Sequence, residues 1–498
     1  MRVERIPFGE WLPDASNLRS DILLDAKNTI PEPEGYTSLS GITTFSTPTP
    51  DAALPLAILW VQGSDGVFVN FVATAKSLYT LAEDGTWQLR NKTGVANYGA
   101  TRWELTQYGD RIIAVAPGVA PQYIDLPLLD TPNAELFADL PGSPPTARTI
   151  TAVRDFVVLG NLTAGGSNYP DRIQWSGFNN SGFWGSSMQL QADFSPLYGP
   201  AASVQRVLGQ SFGMIFCRGC IFRMDYVGPP TIFNIRMLNA NHGTPAPRSV
   251  VEVDNQYFYL SDDGFYRHNG STTTPLGVGK VNRWFREVLD PATIESVHGT
   301  VDRRRQVILW SFKTTASKPI NDRILLYNWA VDRWSYAEVD TALIGEYRSS
   351  AFYLDTALLD TLVPNINLST LPVDADVLKG GNIANLVFDG TYRAGTFQGA
   401  PLPTVLEVGA LSVPDRRIFI GRVKPIVDGA DNATTTVTLG RQDLLEEPRQ
   451  YEAFKTLNEL GDALFHHESR WPSIRISLQN AYDLAVGVEV ELRTEGWR

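Results

Sequence analysis

The chain reads as an all-β protein: an irregular β-propeller of about six or seven blades, with an extended N-terminal arm and a small C-terminal β domain. Three observations predict this. First, between residues 78 and 389 one local theme recurs, an apolar-aromatic strand, an Asp/Gly/Asn turn and a second strand. Second, markers of that theme, Tyr79, Tyr123, Trp175, Tyr226, Tyr266, Tyr327 and Phe388, stand 44, 52, 51, 40, 61 and 61 residues apart. Propeller blades run about 40 to 50 residues, so four intervals fit and the last two predict loop insertions. Third, 498 residues with 43% hydrophobic and 11% aromatic content supply enough apolar material for a large ordered core. A blade cannot bury both of its faces alone, and closing a ring buries them between neighbours. A large sandwich or a pair of barrels uses the same strand and turn vocabulary and is the competing fold.

Residues 1–50 form the arm and its linker. Phe8-Gly9-Glu10-Trp11-Leu12-Pro13-Asp14, then Leu24 to Pro31, then Gly35-Tyr36 carry prolines that forbid a continuous helix, which predicts short extended strands. Ser46 to Pro55, with three prolines, reads as a linker into the ring.

Residues 51–400 carry the blades. The theme appears as Leu78-Tyr79-Thr80-Leu81, Gln122-Tyr123-Ile124-Asp125-Leu126, Ile173-Gln174-Trp175-Ser176-Gly177 and Ile221-Phe222-Arg223-Met224-Asp225-Tyr226. It continues as Gly264-Phe265-Tyr266-Arg267-His268, Leu325-Leu326-Tyr327-Asn328-Trp329 and Leu386-Val387-Phe388-Asp389-Gly390. Residues 401–498 depart from it. Arg417 to Pro425, Thr434 to Leu439, Ser473 to Leu478 and Val486 to Leu492 alternate as strands of a separate β domain, expected to pack with the arm.

Charge and motifs exclude several functions. A net charge of −12, from 42 Lys plus Arg against 54 Asp plus Glu, disfavours tight nucleic-acid binding by phosphate neutralisation. It suits a wall along which a duplex slides without sticking. No early stretch has the shape of a secretory signal, and no run reaches about 18 apolar residues, so no membrane-spanning segment is expected.

Cys217 and Cys220, the only cysteines, form Cys-Arg-Gly-Cys between strand-like flanks; Arg218-Gly219 reads as a hairpin turn joining two reduced thiols. The histidines His242, His268, His298, His466 and His467 are scattered, and His466-His467-Glu468 has no ligand spacing and reads as a polar loop. No nucleophile elbow, His-Glu-x-x-His or phosphate-cradling loop is present.

Asp84-Gly85-Thr86-Trp87 and Ser261-Asp262-Asp263-Gly264-Phe265 loosely resemble the Asp-box turns of sialidases but lack their spacing, and they read as hairpin turns. The aromatic run Tyr327 to Tyr336 reads as scaffolding, and Asp302-Arg303-Arg304-Arg305 as a charged turn. No catalytic, cofactor-binding or metal-binding residue is assigned, and no cofactor is expected.

One resemblance supplies a function. Pro7-Phe8-Gly9-Glu10-Trp11-Leu12-Pro13-Asp14 with Ala26-Lys27-Asn28-Thr29-Ile30-Pro31 and Gly35-Tyr36 resembles the start of tail hub, or nozzle, proteins of short-tailed bacteriophages, also described as packaged-DNA stabilisation proteins. So do Gln107 to Arg111 with Pro121-Gln122-Tyr123, Val153 to Val157 with Gln174 to Gly177, and Tyr226-Val227-Gly228-Pro229-Pro230. Gly243 to Val250, Leu260 to Tyr266 and Val281 to Phe285 resemble the family most.

The resemblance spans residues 7 to 334, and the shared order of short segments is its specific part. It implies a homohexameric virion ring that docks on the portal-adaptor assembly, retains packaged double-stranded DNA and conducts it on ejection. Tail fibres or spikes are further expected partners, the virion tail is the expected location after assembly in the host cytoplasm, and the C-terminal domain is the candidate for adaptor docking. Under this reading the DNA path is the axis of the hexamer, with an acidic lumen, because the bore of one propeller is small. The residues lining that path are not assigned. The alternative is a propeller tail protein that binds or cleaves glycans.

Overall fold

The computed structural model describes residues 2–495 apart from 83, 127–134, 317, 349–382, 414–415 and 445. Among the described residues, six four-stranded antiparallel sheets and a seventh four-strand unit, residues 298–337 at one end of a larger sheet, follow one another along the chain and close into a ring, so the fold is a seven-bladed β-propeller. The innermost strands, in blade order, are Pro55–Gln62, Glu104–Tyr108, Thr146–Val153, Val204–Gly209, Val251–Val253, His298–Asp302 and Leu343–Arg348. The last of them packs against the first and completes the circle.

Why these residues form blades is visible in the second strands. Arg111–Ala116, Gly213–Cys217 and Val307–Phe312 are almost wholly apolar and buried, because each blade is covered on both faces by its neighbours. A two-sided burial of this kind favours a continuous apolar run over alternation. Six of the seven aromatic markers, Tyr79, Tyr123, Trp175, Tyr226, Tyr266 and Tyr327, fall on the third strand of successive blades. The seventh, Phe388, falls on the second strand of its blade.

The two long intervals have separate origins. Between blades five and six an α-helix, Asn282–Val288, and a 3-10 turn, Pro291–Ser296, are inserted. The second insertion falls in 349–382, outside the described residues.

The first three residues of the stretch expected as a linker, Ser46 to Pro48, belong to a blade strand, and residues 49–54 connect that strand to blade one. Thr43–Pro48 pairs with Arg393–Thr396 and forms the outer strand of blade seven, whose other strands come from residues 343–396. Threonine-rich and open on one edge, Thr43–Pro48 tolerates Pro48 at its end, since a proline is accommodated at a strand terminus. Trp87 of blade one reaches over this seam: its Nε1 donates to Thr47 O at 3.0 Å, and its ring lies 6.2 Å from that of Phe388.

Residues 404–495 form two further sheets packed face to face, and the N-terminal strands are built into both. In one, Arg417–Asp428 and Ala463–Ser469 join Leu484–Glu495, which also pairs with Arg2–Pro7 and Gly35–Ser38. In the other, Ile22–Lys27 pairs with Thr404–Val408, followed by Ser473–Leu478 and Thr436–Arg441. Ile22–Lys27 also meets the outer strand of blade six through Lys27 and Tyr336, so this sheet continues the blade. A single apolar core runs from Trp310 and Trp334 of blade six through Trp11 and Leu23 of the arm to Ile418 and Ile474 of the C-terminal sheets.

Candidate functional site

The innermost strands leave between them an axial cavity of about 620 Å³, lined by residues of all seven blades. Each strand begins at the same end of the ring, so residues at strand starts gather there although they lie 40 or more positions apart in the chain. Arg102 stands just before the blade-two strand, Arg248 just before that of blade five, and His298 opens that of blade six; Arg206 lies inside the blade-four strand. Asp254, Arg303 and Glu346 line the opposite half, where Arg303 and Glu346 approach to 3.5 Å, and Glu252 lies where both Arg206 and Arg303 act on it.

The arginines tie blades together. Arg102, 6% exposed, donates from Nη2 to Glu104 Oε2 and to Gln205 O of blade four, both at 3.3 Å. Arg206 donates from Nη1 to Val250 O at 2.8 Å and Pro247 O at 3.3 Å, joining blades four and five. Arg248 spans the bore, donating from Nη1 to Leu56 O of blade one at 2.8 Å.

Their electrostatics are strained. Burial, reinforced by the like charges of Arg102 and Arg206, pulls the Arg248 guanidinium down to about 9, and burial likewise lowers Arg102. Burial and the neighbouring guanidinium of Arg248 hold His298 well below the usual imidazole range, so its ring is neutral at pH 7.

The residues weighed in the sequence occupy other places. Asp84-Gly85-Thr86 is a turn in which Asp84 Oδ1 accepts from the Thr86 amide at 2.9 Å and hydroxyl at 2.7 Å. Asp302 accepts from the amides of Arg304 and Arg305, so that run is a charged turn. Ser261 to Phe265 is a tight hairpin whose Gly264, at φ +142°, has no room for a side chain: a Cβ would lie 1.9 Å from the Asn282 amide nitrogen. Tyr327 and Trp334 stack within the core at 4.4 Å between centroids.

Cys217 and Cys220 flank a two-residue hairpin turn, both buried and reduced; the hydrogen bond to the Cys220 sulfur and burial push the Cys217 thiol up, which leaves it inert. His466-His467-Glu468 is corrected: it lies in the strand Ala463–Ser469, not in a loop, with His467 buried and its Nδ1 2.7 Å from Glu452 Oε1. His268 is buried beside Thr273, and burial brings it down to about 4. Among the described residues no three His, Cys, Asp or Glu side chains cluster as metal ligands. No helix among them is long and apolar enough to cross a membrane.

Sequence reasoning did not single out Arg102, Arg206 or Arg248. The available signal was an arginine at the start of, or inside, a predicted apolar strand, where a charge needs a partner.

No family model matches the chain, and no curated protein matches it. Among solved structures it is similar to virginiamycin B lyase from Staphylococcus aureus, at 8% identity over 60% of this chain and 88% of that one, with a TM-score of 0.39. It is also similar to the WD40 domain of Pan2 from Neurospora crassa, at 8% identity over 74% of this chain and 97% of that one, TM-score 0.40. A third similar structure is the extracellular domain of the one-component system BT4673 from B. thetaiotaomicron, at 10% identity over 78% and 43% of the two chains, TM-score 0.40. These likenesses concern fold and assign neither activity nor ligand.

Proposed function

We propose that this chain is a non-enzymatic structural component of a short-tailed phage virion, a tail hub or nozzle that assembles as a homohexamer below the portal-adaptor ring, retains packaged DNA and conducts it on ejection. One observation supports the reading above the others: four of the segments that resemble the family, 7–14, 243–250, 260–266 and 281–285, lie against one another. Asp14, from the first segment, accepts from the amides of Arg283 and Trp284, both at 2.8 Å, and so caps the helix that carries the last segment. Trp11 meets Trp284 edge to face at 4.8 Å. Asn282 of the same helix packs against Gly264 and accepts from the Phe265 amide. Thr244 and Ser249 both bond to the backbone of Leu260, at 2.7 and 3.1 Å.

Residues scattered over 270 positions thus make one structural joint between blades five and six and the arm. The net charge of −12 fits a DNA conduit that repels phosphates.

The test is the oligomeric mass of the purified protein together with negative-stain electron microscopy, alone and mixed with phage portal-adaptor assemblies. A six-fold ring with an open axis, or addition of such a ring to the adaptor, is expected. A monomer that ignores the adaptor refutes the proposal and directs effort to glycan cleavage.

A further inference from the structure

The arginine end of the axial cavity carries more positive charge and more hydrogen-bond donors than the protein itself satisfies. Four guanidinium groups, Arg102, Arg148, Arg206 and Arg248, act on one another there, and the carboxylates facing them are Glu104 and Glu295. Glu104 serves both Arg102, at 3.3 Å, and Arg206, at 3.5 Å; Glu295 pairs with Arg148 at 2.7 Å and is largely exposed. Glu252, which acts on Arg206 as well as Arg303, is a third carboxylate there, so four cations against three anions leave a surplus of one positive charge in a buried site. Among the described residues Arg248 has no carboxylate of its own, and it uses Nη1 on a backbone carbonyl.

The donors are also incomplete. Among the described residues Arg102 Nε and Arg206 Nε are buried and have no hydrogen-bond partner, since the 3.5 Å approach of Glu104 to Arg206 Nε is an ion pair only; His298 Nε2 is likewise without a partner there. A buried charge lacking a counter-charge is costly, by several kcal/mol in general, and is retained where something else supplies the counter-charge. Asp254 and Glu346 line the other half of the cavity, and burial pushes Glu252 up, which weakens its claim on Arg206 and Arg303.

We propose that the axial cavity binds a tetrahedral oxyanion, a phosphate group or its sulfate analogue, held by Arg102, Arg206 and Arg248 beside the His298 ring. Guanidinium groups reaching in from blades two, four and five address an anion from three directions, which suits a tetrahedral oxyanion better than a planar carboxylate. In the tautomer that carries its proton on Nε2, His298 of blade six adds a fourth donor without adding charge. The cavity volume of about 620 Å³ admits a phosphomonoester as well as the free ion. The anion would act as a keystone, binding blades two, four, five and six at the axis. This inference does not depend on the hub reading, since the cavity belongs to one subunit.

The experiment is thermal unfolding and isothermal titration calorimetry of the full chain in a phosphate-free amine buffer, with sodium phosphate, sodium sulfate and adenosine monophosphate added in turn and sodium chloride at matched ionic strength as reference. Phosphate and sulfate are expected to raise the unfolding temperature progressively with the logarithm of their concentration, beyond the effect of chloride. Tighter binding of the nucleotide marks a phosphomonoester as the ligand, and binding of the inorganic ions alone marks the free anion; both uphold the site.

Arg248→Gln is expected to weaken binding at least tenfold. Glu104→Gln, nearly isosteric and still able to accept from Arg102, is expected to tighten it at least threefold by removing the resident carboxylate. It reads the site even where the arginine variant fails to fold. Equal stabilisation by phosphate, sulfate and chloride, or a Glu104→Gln variant whose affinity does not rise, overturns the proposal.

Discussion

Asp25 sits where the arm joins blade six to the C-terminal sheet, and its carboxylate is the group there whose burial has the clearest thermodynamic consequence. It lies directly opposite Glu407 in the ladder between Ile22–Lys27 and Thr404–Val408, and it accepts from the Tyr336 hydroxyl at 2.9 Å. Burial pushes it up from 3.8 to about 6; the Tyr336 hydrogen bond resists this, and the Glu407 charge adds to it.

With the folded value raised, the native state binds the proton more tightly than the unfolded chain does. Stability from this group is therefore complete below about pH 4 and is lost as the pH rises to about 6. The interval between 3.8 and about 6, at about 1.4 kcal/mol for each pH unit, corresponds to about 3 kcal/mol. Part of the side chain touches solvent, which reduces the expected effect to about 2 kcal/mol.

Asp25→Asn keeps an acceptor for Tyr336 and removes the titration. Urea unfolding followed by tryptophan fluorescence should find the variant more stable than the parent by about 2 kcal/mol at pH 8 and by no more than about 1 kcal/mol at pH 4.5, the difference vanishing below about pH 3.5. A variant that gains nothing at pH 8, or gains as much at pH 4.5, refutes the argument that a buried, raised carboxylate strains this joint.

Other substitutions probe the same joint and its neighbours. Asp14→Ala removes both cap hydrogen bonds from the helix Asn282–Val288 and should lower stability by about 1–2 kcal/mol, measured by urea unfolding. Asp14→Asn, retaining an acceptor, should recover about half of that. Glu407→Ala strands Arg449 and Arg475 and leaves Ser473 and Tyr451 without their acceptor, with an expected loss of about 3–5 kcal/mol in the same assay. Gly264→Ala forces a methyl group into the Asn282 amide at a backbone angle that alanine rarely adopts; a loss of at least about 1–3 kcal/mol is expected in thermal unfolding.

Local pattern made the ring legible and hid its closure. An aromatic on the third strand of a blade packs against the adjacent blade wherever it occurs, so Tyr79, Tyr123, Trp175, Tyr226, Tyr266 and Tyr327 repeat at blade spacing and reveal the architecture. Phe388 breaks the pattern because blade seven takes its outer strand from Thr43–Pro48, some 300 residues away. That pairing depends on where the chain ends meet in space and leaves no periodic trace, and Pro48, with Pro50 and Pro55 after it, made the end of the strand look like part of a linker. The turns at Asp84, Asp302 and Arg218-Gly219 were readable because Asx and hairpin geometry is decided within four residues. Arg102, Arg206 and Arg248 were not readable as a set, since only the curvature of a closed ring brings the starts of distant strands to one axis. His466 and His467 were misread because polar side chains on an alternating strand look like a loop when their apolar partners, Ala463, Phe465 and the aliphatic part of neighbouring strands, are considered singly.

The arm's placement restricts how any ring of subunits could be held together. An N-terminal arm can in principle cross to a neighbouring subunit, but here its strands are committed within their own chain. Arg2–Pro7 and Gly35–Ser38 complete one C-terminal sheet, Ile22–Lys27 bridges blade six to the other, and Thr43–Pro48 closes blade seven. Releasing them would expose Phe8, Trp11, Leu23 and Tyr36, each at most 2% exposed, and would open the propeller at the same time. Burying a large apolar side chain is worth about 1.5–3 kcal/mol, so four of them alone represent a barrier of the order of 10 kcal/mol against exchange. Interfaces of the proposed hexamer must therefore come from the outer edges of blades, from loops or from the exposed apolar residues of the C-terminal sheets, Phe454, Leu460 and Leu464, rather than from strand swapping by the arm. Hexamers dissociated by dilution and mixed with a differently tagged population should accordingly exchange whole folded subunits without passing through an unfolded arm, and tryptophan fluorescence should stay constant throughout.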